Sequence, residues 1–176
     1  FYVEKAYAAG RIPGGFFKRE ARLSDSETLI SRIIDRPLRP SFHENYLAET
    51  LIVATVLSHD LEFPSDVAAM IGASAALSVS DIPLLQPIGG IRVGMIDGEF
   101  ITNPNPEEIT NSQMNIFMAG SRDAILMVEG EANEVSESVM LNALWYGHEQ
   151  IQPIIDMQEE LVERCGKAKR LSLIHI

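Results

Sequence analysis

The sequence predicts an α/β (α+β) domain in which a mixed β-sheet and packed helices form two layers. The predicted elements run in the order strand, helix, strand, helix, four strands, helix, and the first three form a βαβ unit. Asp97-Gly98 between two strand-like runs predicts a tight hairpin turn. Ser24 followed by Glu27 predicts a helix that begins with a capping box. The 176 residues are enough for one such domain with its own core.

The first half is expected to contain the βαβ unit and a second helix. Phe1–Val3 is typical of a strand, and the helix after Ser24 should end at Pro37 and Pro40, because proline lacks a backbone donor. The apolar, β-branched run Glu49–Ser58 predicts a buried strand. A second helix follows, with five residues predicted to point inward: Val67, Met70, Ile71, Ala75 and Val79.

The second half is expected to form two hairpins and a long helix. The four hairpin strands are predicted at 91–96, 99–102, 115–119 and 124–129. An amphipathic helix follows from about Asn133. Gly147 and Pro153 are predicted to bend or break this helix, because neither residue favours a helix interior.

The composition is that of a globular chain. Apolar residues make up 46% and charged residues 22% of it, and no apolar run reaches the roughly 18 residues of a membrane span. No secretory signal opens the chain, so we expect no contact with a membrane. The single cysteine, Cys165, cannot form an internal disulfide and fits a reducing, cytoplasmic compartment.

Both ends of the chain suggest a fragment of a longer protein. The chain begins at Phe1, as if in the middle of a strand, and we expect it to be truncated at its N-terminus. The last six residues, LSLIHI, follow the basic stretch Lys167–Arg170 and are expected to be foreign to the fold. We therefore assign residues 1–166 to one domain, and residues 167–176 to the start of a linker plus a non-native tail.

Charge is distributed unevenly along the chain. The net charge is −11, yet residues 11–39 carry seven basic side chains against four acidic ones. Residues 40–163 carry two arginines against 20 acidic side chains. A basic strip on an acidic body attracts a polyanion to one place and repels it elsewhere. Chance clustering on a solvated surface is the alternative.

The residues themselves predict no catalytic centre, and the catalytic residues stay unknown. The sequence has no phosphate-binding glycine loop, no dinucleotide fingerprint and no metal-spaced cluster of cysteine and histidine. Asp60 and Glu62 follow a predicted strand, where a solvated strand end is favoured over a Mg²⁺ site. His148 is better explained as a polar residue on a helix surface than as a metal ligand.

Three arginines, which we call the arginine elbow, stand near the end of the first predicted helix. Arg32 and Arg36 are four residues apart and share a helix face, and Arg39 follows between two prolines. A guanidinium group keeps its charge and donates two parallel hydrogen bonds to a phosphate. The elbow therefore predicts phosphate contacts. Structural ion pairs with the acidic body remain the alternative.

The segment GGFFKRE (Gly14–Glu20) places two aromatic rings beside two cations in a glycine-rich stretch. Rings in such a loop serve as platforms for unstacked bases, and the cations beside them hold phosphates. The alternative is a hydrophobic plug at a subunit contact.

Six separated sequence blocks, taken together and in their order along the chain, resemble the first RNase PH-like domain of the bacterial polynucleotide phosphorylase family. The likeness spans about residues 1–167. The blocks are AAGRIPGGFFKRE (8–20), ETLISRIIDRPLRP (27–40), VLSHD (56–60), IGASAALSVSDIP (71–83), LMVEGEA (126–132) and GHEQIQP (147–153).

The resemblance implies an RNase PH-like fold and a phosphorolytic 3′-to-5′ exoribonuclease that acts in mRNA degradation. In such an enzyme, inorganic phosphate attacks single-stranded RNA and releases nucleoside diphosphates, reversibly. The resemblance also implies a homotrimeric ring, possible RNA-degradation partners and Mg²⁺ in the full-length enzyme, at a site outside this chain. The catalytic residues are expected mainly in a second RNase PH-like domain, so this fragment would be inactive alone.

The resemblance also implies which residues contact RNA. The rings of the GGFFKRE segment match a channel constriction in the family. The arginines of the elbow match the family's R-x-I-D-R-P-x-R-P motif, which implies contacts with RNA phosphates on the path to the catalytic cleft. The predicted RNA-binding residues are Phe16, Phe17, Lys18, Arg19, Arg22, Arg32, Arg36 and Arg39. A non-catalytic RNA-binding or assembly module, like the inactive ring subunits of the exosome, is the alternative function.

Overall fold

The fold follows the predicted order of elements with one short helix added. The computed structural model of the protein describes residues 1–5, 8, 10 and 23–170. No helix in these ranges is both long and apolar enough to cross a membrane. The elements are β1 (Tyr2–Glu4), α1 (Asp25–Leu38), β2 (Ala54–Val56), α2 (Ser65–Val79), β3 (Gly89–Ile96), β4 (Glu99–Thr102), α3 (Pro106–Asn111), β5 (Met114–Gly120), β6 (Ile125–Ala132) and α4 (Glu137–Cys165).

The first half contains the predicted βαβ unit. Strands β1 and β2 pair in parallel, and α1 is part of the connection between them. The capping box of α1 is confirmed, because the Ser24 hydroxyl accepts from the Glu27 amide and the Glu27 carboxylate accepts from the Ser24 amide. The helix runs one residue past Pro37 and passes into a 3₁₀ turn, Arg39–Ser41.

Strand β2 is shorter than the sequence predicts. It covers three residues of the run 49–58, because among the described residues its partner is β1, which is itself three residues long. Leu51, Val53 and Leu57 are more than half exposed. The prediction of a long buried strand here was wrong.

The second half forms a four-stranded antiparallel sheet in the order β4-β3-β5-β6. Asp97 and Gly98 join β3 to β4 with φ values of 52° and 83°. Two consecutive left-handed residues are what a type I′ hairpin turn requires, so the predicted turn is confirmed. Among the described strands, the parallel pair and the antiparallel sheet are separate, so parallel and antiparallel pairing occur in two sheets rather than in one mixed sheet.

Helices cover both faces of the four-stranded sheet. Side chains alternate along β5, so Ile116 and Met118 pack into one hydrophobic cluster with Ile151 of α4. Phe117, between them, points to the other face and packs in a second cluster with Met70 of α2. Strand β5 is therefore buried on both sides, which makes it the centre of the core.

The buried face of α2 differs from the predicted one. Of the five residues predicted to point inward, Met70 is buried, Val67 is partly buried against the same core cluster, and the other three are partly exposed. Two polar residues help to set the rotation of the helix: Asp66 pairs with Arg92 of β3, and the Ser74 hydroxyl accepts from the Ile88 amide at 2.8 Å. The buried residues are Asp66, Met70, Ala73, Ser74, Leu77 and Ser78.

Helix α4 is continuous from Glu137 to Cys165, so Gly147 and Pro153, which were predicted to bend or break it, do not break it. A Cβ atom on Gly147 would lie 2.1 Å from the Met118 sulfur, so glycine is needed there for the helix to approach the sheet. Pro153 lies on the exposed side, and the carbonyl that it leaves without a donor belongs to exposed Glu149.

Residues 167–170 return from the end of α4 to the C-terminal end of α2. The ammonium group of Lys169 donates to three backbone carbonyls there, at 2.7–3.0 Å. The Lys167 amide donates to Val79, and Arg170 pairs with Asp81. The tail 171–176 lies outside the described residues.

Candidate nucleic-acid interface

The arginine elbow lies on the solvent side of α1. Ile33, Ile34 and Leu38 of that helix are buried in the core. The helical period therefore turns Arg32 and Arg36 outward, and both are exposed. Arg39 is also exposed, at the first residue of the 3₁₀ turn.

Two of the three arginines make ion pairs at the surface. The Arg36 guanidinium lies 3.2 Å from a carboxylate oxygen of Glu129, which belongs to the edge strand β6. Arg39 donates to both carboxylate oxygens of Asp35, at 2.8 Å, and this contact raises the pKa of Arg39. All four side chains are between 44% and 76% exposed. Water and salt screen such pairs, so a phosphate can displace the carboxylates.

Arg32 differs from the other two arginines. Within the described ranges its side chain makes no hydrogen bond or ion pair, and it is exposed. Its charge is therefore available to a ligand without displacing any described carboxylate.

Phe16, Phe17, Lys18, Arg19 and Arg22 lie outside the described residues.

The chain on both sides of these residues is held to the start of α1. One oxygen of the Glu27 carboxylate accepts from the Glu4 amide of β1 at 2.9 Å. The other oxygen accepts from the amide and the hydroxyl of Ser24, at 2.7 and 2.8 Å. One turn later, the Ser31 hydroxyl accepts from the Tyr2 amide at 2.9 Å. Although burial by itself raises the pKa of Glu27, the hydrogen bonds from Ser24 and Glu4 outweigh it, and the pKa is lowered.

The acidic region, residues 40–163, contains two arginines, Arg92 and Arg122, and both make ion pairs. Arg92 donates to the buried Asp66 through two guanidinium nitrogens and to Asn115 at 2.8 Å, while its charge lies 5.7 Å from the centre of the Phe117 ring. Arg122 pairs with two exposed carboxylates of α4, each at 2.6 Å. Both arginines serve the fold. Sequence reasoning missed the Asp66–Arg92 pair, because two residues 26 positions apart carry no local pairing signal.

The described residues do not suit a metal ion. They contain no group of three or more His, Cys, Asp or Glu side chains that could hold one. Asp60 accepts instead from the Glu62 amide in a surface turn, and a ring nitrogen of His148 lies 3.1 Å from the Ser121 carbonyl.

Comparison with solved structures defines the class of fold. The fold is similar to that of rice (Oryza sativa) Rrp46, with a TM-score of 0.69 at 16% sequence identity. The likeness covers 92% of this chain and 70% of that one. The predicted RNase PH-like α/β fold is therefore confirmed.

The chain belongs to the 3′ exoribonuclease family. Residues 1–83 match the family's domain 1 and residues 86–150 match its domain 2. The chain is 57% identical over 169 residues to the polyribonucleotide nucleotidyltransferase of Geotalea uraniireducens and 56% identical to that of Geobacter sulfurreducens. Each match covers 96% of this chain and 24% of the relative, so the chain spans about a quarter of these proteins.

Proposed function

We propose that this chain is the RNA-guiding and ring-forming part of a phosphorolytic 3′-to-5′ exoribonuclease. The observation that carries the proposal is the identity above 50% with curated polyribonucleotide nucleotidyltransferases along almost the whole chain. Because the chain spans about a quarter of those relatives, the activity belongs to the whole protein. Its main catalytic residues would lie in a second RNase PH-like domain.

In the proposed reaction an oxygen of inorganic phosphate attacks the phosphorus of the last phosphodiester bond of an RNA strand. The bond from that phosphorus to the 3′ oxygen breaks, a nucleoside diphosphate leaves, and the freed 3′ oxygen takes a proton. The reverse reaction extends RNA. We place this reaction in cytoplasmic mRNA degradation, with Mg²⁺ bound elsewhere in the whole protein.

The distribution of charge supports a role in guiding RNA. The elbow presents three exposed guanidinium groups, two of them in pairs that phosphate can displace, on a chain whose net charge is −11. An RNA strand would be attracted to the arginine elbow on α1 and repelled from most of the remaining, acidic surface. We propose that Phe16 and Phe17 add stacking on bases, which is worth about 1–3 kcal/mol per base, and that Lys18, Arg19 and Arg22 hold the backbone.

An exposed apolar surface supports ring assembly as a homotrimer. A groove of about 580 Å³ lies between β2 and α2, lined by apolar side chains and by the small residues Gly72 and Ala76. Leu51, Val53 and Leu57 stand exposed around it. Apolar surface of this kind is commonly buried in assembly contacts.

A non-catalytic RNA-binding or assembly module is the second candidate. Its support is the arginine elbow, which can hold RNA phosphates whether or not the whole protein cleaves RNA. Phosphorolysis of RNA by the whole protein decides between the two: release of nucleoside diphosphates that requires phosphate supports the exoribonuclease, and its absence supports the binding module.

The guiding role is tested by the salt dependence of RNA binding in the whole protein. Each lost phosphate contact should reduce the slope of log K against log salt by about 0.7 for single-stranded RNA, so Arg36→Ala should give this reduction. Arg122→Ala is the matched control, because Arg122 is also surface-exposed and paired with carboxylates but lies outside the elbow. Equal slopes for the two variants would show that Arg36 is structural.

The stacking role is tested separately with Phe16→Ala combined with Phe17→Ala. The double variant should bind a single-stranded RNA at least about tenfold more weakly, because two stacked bases lose their platforms. Unchanged affinity would refute the assignment of these rings to RNA.

A further inference from the structure

The arginine elbow contacts the acidic region through one ion pair, between Arg36 and Glu129. Asp35, the partner of Arg39, stands on the same helix and accepts from two of its guanidinium nitrogens. Glu129 lies instead on β6, 93 residues from Arg36, and one of its oxygens accepts from one Arg36 nitrogen at 3.2 Å. Among the described residues, no other ion pair joins the elbow to residues 40–163. Arg36 is therefore the elbow arginine whose charge is shared with the acidic region.

The strand β6 holds the Glu129 carboxylate beside α1. Met127 is buried in the hydrophobic cluster that also contains the inward side chains of α1. Because side chains alternate along a strand, Glu129 and Glu131 continue the same face of β6 toward solvent. Glu129 is 44% exposed where it reaches Arg36, and Glu131 is exposed and makes no ion pair with any described residue. Two like carboxylates thus share one face, and one of them contacts the elbow.

The carboxylate of Glu129 and a phosphate group make the same kind of hydrogen bond with Arg36. Both present an anionic oxygen that accepts from a guanidinium N–H, and each N–H serves one of them at a time. The Arg36 and Glu129 side chains are 55% and 44% exposed. An exposed pair changes an equilibrium by a factor of about two to five, so Glu129 weakens the hold of Arg36 on a phosphate without abolishing it.

We infer that Glu129 is a positioning residue, which competes with an RNA strand for the Arg36 guanidinium and so keeps the hold of the elbow on the strand weak. The inference rests on the proposed function, in which the strand is shortened by one nucleotide at a time. Each backbone phosphate must then leave Arg36 before the next one binds, and the Glu129 carboxylate takes its place in between. Glu129 does not touch RNA and acts through Arg36.

The competing ligand is a phosphate group, which both an RNA backbone and inorganic phosphate provide. The elbow favours the strand, because Arg32 and Arg39 stand about 10 Å apart along the helix, a distance longer than one phosphate group. Arg36 lies between them. Binding of RNA and binding of inorganic phosphate are therefore measured separately.

The variant Glu129→Gln of the whole protein keeps the length of the side chain and removes its charge. The dissociation constant for a single-stranded poly(A) of about 20 nucleotides should fall about two- to fivefold at low salt, and the difference should shrink as salt screens the pair. The KM for RNA should fall with it while the KM for phosphate stays constant. A loss of stability would weaken RNA binding instead.

Two matched variants separate competition for Arg36 from general repulsion of RNA. Glu131→Gln removes the same charge from the same face of β6, at a carboxylate that pairs with no described arginine. Because water and salt screen that charge, the dissociation constant should stay within about 1.5-fold of the wild-type value. Glu129→Gln in an Arg36→Ala background should have no further effect, because the group for which the two anions compete is gone.

Unchanged or weaker RNA binding in Glu129→Gln would overturn the inference, provided that Arg36→Ala reduces the salt slope as proposed. An equal gain in Glu131→Gln, or a gain that persists without Arg36, would also overturn it. If Arg36→Ala keeps the wild-type slope, the proposed guiding role fails, and the inference fails with it. A lower KM for phosphate with an unchanged dissociation constant for RNA would show that Glu129 competes with inorganic phosphate, which refutes the assignment to the strand.

Discussion

The buried ion pair between Asp66 and Arg92 should be the most sensitive polar contact of this fold. Asp66 is 1% exposed in the first turn of α2, and the Arg92 side chain of β3 is 18% exposed. Two guanidinium nitrogens donate to one carboxylate oxygen, while the other oxygen accepts from the Val67 amide at 2.8 Å. The pair connects α2 to the sheet at the centre of the domain.

The perturbation is Asp66→Asn, which keeps the shape of the side chain and removes its charge. Two charge-assisted hydrogen bonds weaken, each worth about 1.5–3 kcal/mol, and the Arg92 charge is left buried without a counter-ion. Breaking one partner of a buried pair typically costs about 3–5 kcal/mol, and we expect a loss near 3 kcal/mol because Arg92 keeps Asn115 as an acceptor. Urea unfolding followed by circular dichroism measures this loss.

A double-mutant cycle isolates the pair. Arg92→Met should also destabilise the protein by about 3 kcal/mol, since it leaves the Asp66 carboxylate unpaired, and the double variant should cost at least about 2 kcal/mol less than the sum. Glu129→Gln is the control at the exposed Arg36 pair, and it should change stability by less than about 0.5 kcal/mol. A cost below about 1 kcal/mol for Asp66→Asn, or additive single variants, would refute the reasoning.

Two further predictions concern side chains that bind helix ends, Lys169 at the C-terminal end of α2 and Glu27 at the N-terminal end of α1. Lys169→Met should lower the free energy of unfolding by about 1–2 kcal/mol, because three carbonyls at the C-terminal end of α2 lose their cationic donor; an unchanged urea midpoint would contradict this. Burial opposes the ionised form of Glu27, but the hydrogen bonds from Ser24 and Glu4 prevail and lower its pKa. Its carboxylate therefore contributes stability that is present above the unfolded-state pKa of about 4.3 and is lost as the pH falls through the folded-state value. Glu27→Gln should flatten the decline of unfolding free energy below about pH 5, and a curve parallel to that of the wild type would contradict the assignment.

Features that depend on neighbouring residues could be predicted from the sequence. The capping box of α1 spans four residues and the turn at Asp97-Gly98 spans two, so local chemistry specifies both. The order of the main elements and the βαβ unit follow for the same reason, from hydrophobic periods within single segments. The resemblance of six blocks also identified the family before any contact was known.

Features that depend on distant residues could not be predicted. The rotation of α2 depends on Asp66 meeting Arg92, and the length of β2 depends on the three residues of β1 that pair with it. The continuity of α4 through Gly147 depends on how closely that helix approaches β5, which no property of the helix sequence reveals.

The candidate site also combines features set by neighbouring residues with features set by distant ones. The sequence by itself determined that α1 would present an arginine face, because the spacing of Arg32 and Arg36 fits the helical repeat. Only the tertiary structure decided that Arg36 pairs with Glu129, 93 residues away, and that Glu27 reaches back to Glu4. A helical period is a property of consecutive residues, whereas a hydrogen bond between segments exists only when the packed core brings them within about 3 Å of each other.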